Sequence, residues 1–223
     1  MGKQISLSAA DGHQFAGYRA DPEGKPKGGV VVIQEIFGVN THIRSVCDRF
    51  AREGYVAVAP ALFDRTQKGF ESGYTPAEIE KARAFVAKPD WDAMLLDVNA
   101  AVSVLKSSGP VAVVGFCLGG SVAFLSAVRL SGLSAAVGYY GGAIVKFADE
   151  KPKCAVQLHF GEQDHGIPLT DVARIKEKRP DVEIYTYPDA GHGFHCDERG
   201  SYHQESAALA WSRTQAFLGK HMK

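Results

Sequence analysis

The sequence predicts an α/β fold with a doubly wound, mostly parallel sheet and an antiparallel hairpin at its N-terminal edge. Short apolar runs alternate along the chain with segments of helical periodicity, as in folds built from repeated β-strand and helix units. The runs are nearly continuous in Val, Ile and Ala, which is typical of strands buried on both faces. The functional loops of such a sheet leave the carboxyl ends of its strands.

The N-terminal hairpin is predicted from the first twenty residues. Residues 4–8 and 13–20 alternate polar and apolar side chains, and Asp11-Gly12 provides a turn between them. The Pro-, Gly- and Lys-rich segment 21–29 then forms a surface connection, because too little sequence precedes it to fold alone.

Buried strands and helices alternate along the remaining chain. Apolar runs predict strands at residues 30–33, 55–58, 111–114, 135–139, 155–160 and 182–187. Apolar residues at helical spacing predict helices at residues 41–52, 76–87, 91–106, 121–130, 169–178 and 203–218. No repeat or linker interrupts this order, so we expect one domain over residues 1–223.

Size and charge limit the classes of partner. The 223 residues are 45% hydrophobic and 22% charged, enough for a sizeable core. Lys plus Arg and Asp plus Glu both total 25, so no net charge attracts nucleic acid or an anionic membrane. We expect a small-molecule partner, no nucleic-acid or membrane partner, and a monomer or small homo-oligomer.

Cysteine usage and the first residues bear on location. The four cysteines are scattered in a chain large enough to fold without disulfides, which favours reduced thiols. The first residues contain no apolar run of signal-peptide length. These features predict a cytoplasmic protein.

The most informative stretch is residues 111–120, an apolar strand that continues into Gly115-Phe116-Cys117-Leu118-Gly119-Gly120. This pattern is typical of a nucleophile elbow, in which the nucleophile lies on a strained turn between strand and helix. The N–H groups at the start of that helix favour a thiolate. The alternative is a Gly-rich turn with Cys117 as a small core residue.

A candidate acid and a candidate base follow the elbow, in the order nucleophile, acid, histidine that α/β-hydrolases use. Asp164 lies in a polar turn after one predicted strand, and His192 lies between glycines after the next. Alone, Asp164 fits a turn former or helix cap, and His192 fits a surface histidine. Because all three residues follow predicted strands in the required order, we predict a catalytic triad of Cys117, Asp164 and His192.

Backbone donors for an oxyanion are predicted at two positions. The N–H of Leu118 directly follows the nucleophile, and the N–H of Ile36 lies in the loop after the strand at 30–33. Glu35, in the same loop, is either a solvated charge or a buried partner of the thiol that suppresses its ionisation until substrate enters.

Five motifs resemble those of the dienelactone hydrolase (carboxymethylenebutenolidase) family, which has the α/β-hydrolase fold. They are Gln34-Glu35-Ile36-Phe37-Gly38-Val39-Asn40, Gly115-Phe116-Cys117-Leu118-Gly119-Gly120, Val137-Gly138-Tyr139-Tyr140-Gly141, Gly161-Glu162-Gln163-Asp164 and Ala190-Gly191-His192-Gly193-Phe194. The likeness extends over about residues 29–218. A cysteine at the elbow together with the 34–40 loop is the most specific part of the resemblance.

The resemblance implies a hydrolase that opens a lactone through a thioester and then hydrolyses that thioester with water, without a metal or organic cofactor. Aromatic degradation is the metabolic setting that it implies. The implied roles are the triad for Cys117, Asp164 and His192, the oxyanion hole for Ile36 and Leu118, and a partner that keeps the resting thiol neutral for Glu35.

The chain departs from the family where the substrate carboxylate is bound. Members that cleave dienelactones use two arginines, and the corresponding positions here carry Ile79 and Cys196. Cysteine cannot replace the bidentate guanidinium. Candidate substrate contacts are Phe37, Lys81, Tyr140, Phe194 and Arg199.

Three alternatives remain open. A broad carboxylesterase or thioesterase would use the same triad, and a non-catalytic scaffold would keep only the fold. The ligand types at His192, His195, Cys196 and Asp197 suggest a metal site, but no second ligand pair accompanies them, so we predict none.

Overall fold

The computed structural model describes residues 2–223 and confirms the α/β fold with mostly parallel strands and an antiparallel N-terminal hairpin. The chain divides into two compact units, Met1–Val111 and Ala112–Lys223. The single domain over residues 1–223 stays a prediction. Within residues 2–223, no helix has the length and apolarity needed to cross a membrane.

The first unit has four strands in the order β1-β2-β4-β3. The hairpin β1–β2 is antiparallel and joins β4, whereas β3 and β4 are parallel and consist wholly of buried residues. The strands are β1 (Lys3–Ser8), β2 (Gln14–Ala20), β3 (Gly29–Ile33) and β4 (Val56–Pro60). The helices are α1 (Thr41–Arg52), α2 (Pro76–Phe85) and α3 (Trp91–Leu105), with unpredicted 3₁₀ turns at Leu62–Arg65 and Lys106–Ser108.

The second unit carries four parallel strands in the order β5-β6-β7-β8. The strands are β5 (Val111–Phe116), β6 (Ala135–Tyr139), β7 (Ala155–Gly161) and β8 (Glu183–Tyr187). The helices are α4 (Leu118–Arg129), α5 (Ile144–Phe147), α6 (Leu169–Lys178) and α7 (Gln204–His221). Because parallel strands end at a common edge, the turns after β5, β6, β7 and β8 lie along one side of this sheet.

Side-chain caps explain where several helices begin. The Asn40 side chain accepts a hydrogen bond from the Ile43 N–H and starts α1, and Asp90 caps α3 in the same way. Thr75 starts α2 through a capping box with Glu78.

Four of the six predicted helices have other bounds in the structure. The helix predicted at 91–106 ends at Leu105, the one predicted at 121–130 ends at Arg129, and the one predicted at 203–218 covers Gln204–His221. The second predicted helix ends at Phe85 rather than Ala87, and α4 begins at Leu118 rather than Ser121. The two glycines at the start of α4 have low helix propensity and concealed its first turn.

Candidate active site

Cys117 lies on a strained turn between β5 and α4. Its backbone has φ 55° and ψ −115°, in the left-handed half of φ space that non-glycine residues rarely occupy. The Cys117 N–H donates to the carbonyl of Tyr139 over 3.0 Å, and its own carbonyl accepts from the Gly120 N–H over 3.0 Å. Hydrogen bonds on both sides therefore hold the strained residue in place.

The glycines around Cys117 are required by close backbone contacts. A Cβ at Gly115 would overlap the carbonyl of Gly119, and a Cβ at Gly120 would overlap the carbonyl of Tyr139. These obstacles are backbone atoms, which cannot move aside as a flexible side chain can. The glycines at 115 and 120 thus reflect the geometry of the turn.

The structure brings Cys117, His192 and Asp164 together. His192 Nε2 lies 3.1 Å from Cys117 Sγ, and His192 Nδ1 lies 2.7 Å from Asp164 Oδ2. Since an ionised carboxylate only accepts, Nδ1 carries a proton and donates to Asp164. Nε2 is then the nitrogen that exchanges a proton with the sulfur.

The loop after β7 orients the Asp164 carboxylate. The Gly166 N–H donates to Asp164 Oδ1 over 2.9 Å, which leaves Oδ2 directed at the imidazole. The Gln163 N–H donates to the carbonyl of Ala190 over 2.9 Å and so ties this loop to the one that carries His192. The sequence analysis did not identify Gly166, although the Asp-x-Gly spacing is a known signal for such an Asx turn.

The environment of His192 favours its charged form. Burial opposes the positive charge, but the Cys117 sulfur and the Asp164 carboxylate outweigh burial and raise the pKa of His192 to about 10. At neutral pH His192 is therefore an imidazolium beside the sulfur, an arrangement that stabilises a thiolate.

The N–H of Leu118 lies at the N-terminus of α4, directly after Cys117. Leu118 is the first residue of α4, so its N–H has no acceptor within the helix. The helix dipole adds partial positive charge at the same end.

The predicted site residues of the first unit follow β3 or lie on α2. Glu35 and Phe37 are buried, Ile36 is half-buried, and the Phe37 ring lies edge-on to the Tyr74 ring at 4.7 Å. Lys81 is exposed on α2. Their roles at the sulfur or the substrate stay predictions.

Three of the candidate substrate contacts lie close to His192 in space or in sequence. The Tyr140 ring is 5.1 Å from the His192 ring, and the Phe194 ring is 5.5 Å from that of Tyr140. The guanidinium of Arg199 packs on Gly193, where a Cβ would collide with it. The position of the family arginine, Cys196, is buried.

The sequence analysis missed the buried polar side chains of β7, Gln157 and His159, which lie within a run predicted from its apolar residues. The signal that could have identified them is their spacing of two residues, which places both side chains on one face of the strand. In the part of the chain that the structure describes, no three His, Cys, Asp or Glu side chains form a cluster suited to a metal ion.

Comparison with known proteins gives a consistent result. Residues 15–222 match the model of the dienelactone hydrolase family. A candidate carboxymethylenebutenolidase of Synechocystis sp. is 38% identical, over 94% of this chain and 93% of its own length. The carboxymethylenebutenolidase of Pseudomonas putida is 34% identical, over 96% and 94%. The crystal structure of a candidate dienelactone hydrolase from Klebsiella pneumoniae is 30% identical, with a TM-score of 0.85 over 98% of this chain and 99% of its own.

Proposed function

Because the chain belongs to the dienelactone hydrolase family and is a hydrolase of carboxylic ester bonds, we propose that it opens a small lactone, such as a dienelactone, through a thioester on Cys117. The observation that carries the proposal is the continuous hydrogen-bonded series from Cys117 Sγ through His192 to Asp164, with distances of 3.1 Å and 2.7 Å. This series provides a nucleophile, a group that exchanges its proton, and a carboxylate that fixes the tautomer of that group.

The proposed reaction has two halves. The Cys117 thiolate attacks the lactone carbonyl carbon, and the ring C–O bond breaks. The leaving group, whose charge is delocalised as an enolate, takes a proton from the His192 imidazolium at oxygen or carbon. When His192 has given up its proton, the neutral imidazole accepts one from water, which attacks the thioester. The C–S bond then breaks, and the thiolate and a hydroxy acid or its keto tautomer are released.

The oxyanion of each tetrahedral intermediate is assigned to the Leu118 N–H and, from the family resemblance, to the Ile36 N–H. From the same resemblance we assign Glu35 as the partner that holds the resting thiol neutral. It opposes the effect of the His192 imidazolium, so that only part of Cys117 is thiolate before substrate enters. The variant Glu35→Gln tests this role. We expect faster alkylation of Cys117 in the absence of substrate, and an unchanged rate would contradict the assignment.

Arg199 is the cation that we assign to a substrate carboxylate. Its guanidinium lies on Gly193, next to the triad histidine, and a guanidinium binds a carboxylate through two parallel hydrogen bonds. We expect Arg199→Gln to raise KM for an anionic lactone about tenfold or more and to leave KM for a neutral ester unchanged. Equal changes for both substrates would contradict the assignment. Further proposed substrate contacts are Phe37, Lys81, Tyr140 and Phe194.

A broad carboxylesterase or thioesterase is the second candidate function. It is favoured by the loss of both family arginines, since Ile79 and Cys196 occupy their positions. A preference for neutral esters over dienelactone, measured as kcat/KM, would select this function over lactone opening.

The variant Cys117→Ala tests the nucleophile under either function. We expect it to reduce turnover of dienelactone and p-nitrophenyl acetate by about a thousandfold or more, while the folded state persists. Cys154→Ala is the matched control because it removes another thiol of the same unit. Turnover of Cys117→Ala at the parent rate would refute the proposal.

Iodoacetamide provides an independent test, since thiolates react and thiols do not. Burial raises the pKa of Cys47 well above its usual range and that of Cys154 to about 11, so both remain thiols at pH 8. We expect one fast-reacting thiol, identified as Cys117 by mass spectrometry. Alkylation of Cys117 no faster than that of Cys154 would contradict an activated thiol.

A further inference from the structure

A chain of polar side chains lies on one face of the second unit's sheet, buried at Gln157, His159 and Tyr187 and half-exposed at Glu183. His159 on β7 is fully buried; its Nδ1 lies 2.7 Å from the Tyr187 hydroxyl and its Nε2 lies 3.0 Å from Gln157 Oε1. The Gln157 Nε2 in turn donates to the Glu183 carboxylate over 3.1 Å. A guanidinium, that of Arg213 on α7, lies 5.3 Å from the centre of the Tyr187 ring. The ends of the chain therefore carry opposite charges.

The Glu183 carboxylate fixes the direction of the hydrogen bonds that run from Glu183 to Tyr187. Because the Glu183 carboxylate only accepts, Gln157 directs its NH₂ toward Glu183 and its oxygen toward His159. His159 must then donate from Nε2, which leaves Nδ1 to accept from the Tyr187 hydroxyl. Burial, with a contribution from Arg213, lowers the pKa of His159 to about 3, so the ring stays neutral and keeps this tautomer. The Tyr187 hydroxyl is consequently held in one orientation.

Tyr187 also contacts the two loops that carry the triad. Its carbonyl, at the end of β8, accepts from the Glu162 N–H over 2.9 Å and from the Ala190 N–H over 3.2 Å. Glu162 lies two residues before Asp164, and Ala190 lies two residues before His192. The Tyr187 ring is 5.0 Å from the Phe194 ring, just beyond the triad histidine. One residue thus joins the acid loop and the base loop.

We propose that Tyr187 is a positioning residue that keeps Asp164 and His192 in register, and that the polar chain through His159 holds Tyr187 in place. This inference rests on the proposed function, since it assigns Tyr187 to the alignment of the same triad. The hydroxyl fixes the side chain, and the side chain fixes the carbonyl to which both loops bind. Without the Tyr187 hydroxyl, His192 is therefore held less firmly at hydrogen-bonding distance from Cys117, while no group that contacts substrate is changed.

The variant Tyr187→Phe tests the proposal, with Tyr185→Phe as its matched control. Tyr185 lies two residues earlier on β8, and the Arg213 guanidinium stacks 4.1 Å from its ring centre, so both variants remove one hydroxyl beneath the same guanidinium. With p-nitrophenyl acetate, we expect Tyr187→Phe to lower kcat about three- to tenfold with little change in KM, as loss of one hydrogen bond implies. The control should retain parent values. The same kcat in both variants would overturn the proposal.

Two readouts separate this proposal from the proposed function, because neither needs turnover. NMR titration of His192 should show a lower pKa in Tyr187→Phe than in the parent, and iodoacetamide should alkylate Cys117 more slowly. Parent-like values of both in a folded Tyr187→Phe variant would overturn the positioning role, whatever Cys117→Ala shows. If Tyr187→Phe does not fold, Gln157→Leu breaks the same chain further from the triad, and parent-like values there would equally overturn the role.

Discussion

The charge state of His192 gives the sharpest test of the triad. The Cys117 sulfur and the Asp164 carboxylate outweigh burial and raise the pKa of His192, which favours the imidazolium at pH 7. An opposite charge at this distance changes a pKa by about 1 to 3 pH units. Since Cys117 Sγ lies 3.1 Å from Nε2, we expect Cys117→Ala to lower the pKa of His192 by that amount. The Asp164 contact remains in this variant and should keep the pKa above the ordinary value.

The assay is an NMR pH titration of the imidazole signals, with His192→Gln used to assign the signal of His192. Cys154→Ala is the control, and it should leave the titration of His192 unchanged. Because the folded-state pKa exceeds the ordinary 6.5, the stabilisation from the charged ring is complete below about pH 6.5. It is lost as the pH rises through about 10, and in Cys117→Ala it should be lost at lower pH. A His192 pKa that is the same in Cys117→Ala and in the parent would refute the pairing with sulfur.

Two further predictions concern stability and are measured by chemical denaturation. Arg65→Ala should lower the free energy of unfolding by about 3–5 kcal/mol, because it removes both hydrogen bonds that Arg65 donates to the fully buried Asp97 carboxylate. Arg19→Ala, which removes the exposed ion pair with Asp21, should lower it by at most about 1 kcal/mol. Equal losses in the two variants would contradict this reasoning. Gly115→Ala should lower it by at least about 2 kcal/mol because the added Cβ overlaps backbone, whereas Gly219→Ala, on open helix surface, should be neutral or stabilising. A neutral Gly115→Ala would show that the elbow tolerates a side chain.

The order of strands and helices was predictable because burial on both faces leaves a strong apolar signal. The helices at 41–52 and 169–178 have the predicted bounds, since their apolar spacing is regular. The four-residue helix α5 was not predictable, because one turn is too short to show a period. Sequence order likewise suggested which residues follow each strand, but the distances between them depend on how the loops fold.

The chain through His159 was beyond prediction for a different reason. Polar residues in an apolar run show which face of a strand they occupy, but not which residue of the next strand lies beside them. That depends on register, and here Gln157 pairs with Glu183 and His159 with Tyr185. A shift of one residue would have turned these side chains to opposite faces of the sheet. The hydrogen bonds of this chain therefore follow from the pairing of β7 with β8 and not from either segment alone.

Backbone strain at the ends of neighbouring strands shows how the second unit holds its site. The described non-glycine residues with positive φ are Cys117, at 55°, and Tyr140, at 38°, each directly after a strand. Such conformations cost about 1–3 kcal/mol each and persist only where the surroundings enforce them. The N–H of each strained residue donates to a backbone carbonyl of the neighbouring strand. Cys117 donates to the Tyr139 carbonyl of β6 over 3.0 Å, and Tyr140 donates to the His159 carbonyl of β7 over 2.8 Å. The peptide unit between Tyr139 and Tyr140 thus accepts from Cys117 and donates to the His159 carbonyl, so the backbone of β6 and β7 supports the strained turn that carries the sulfur.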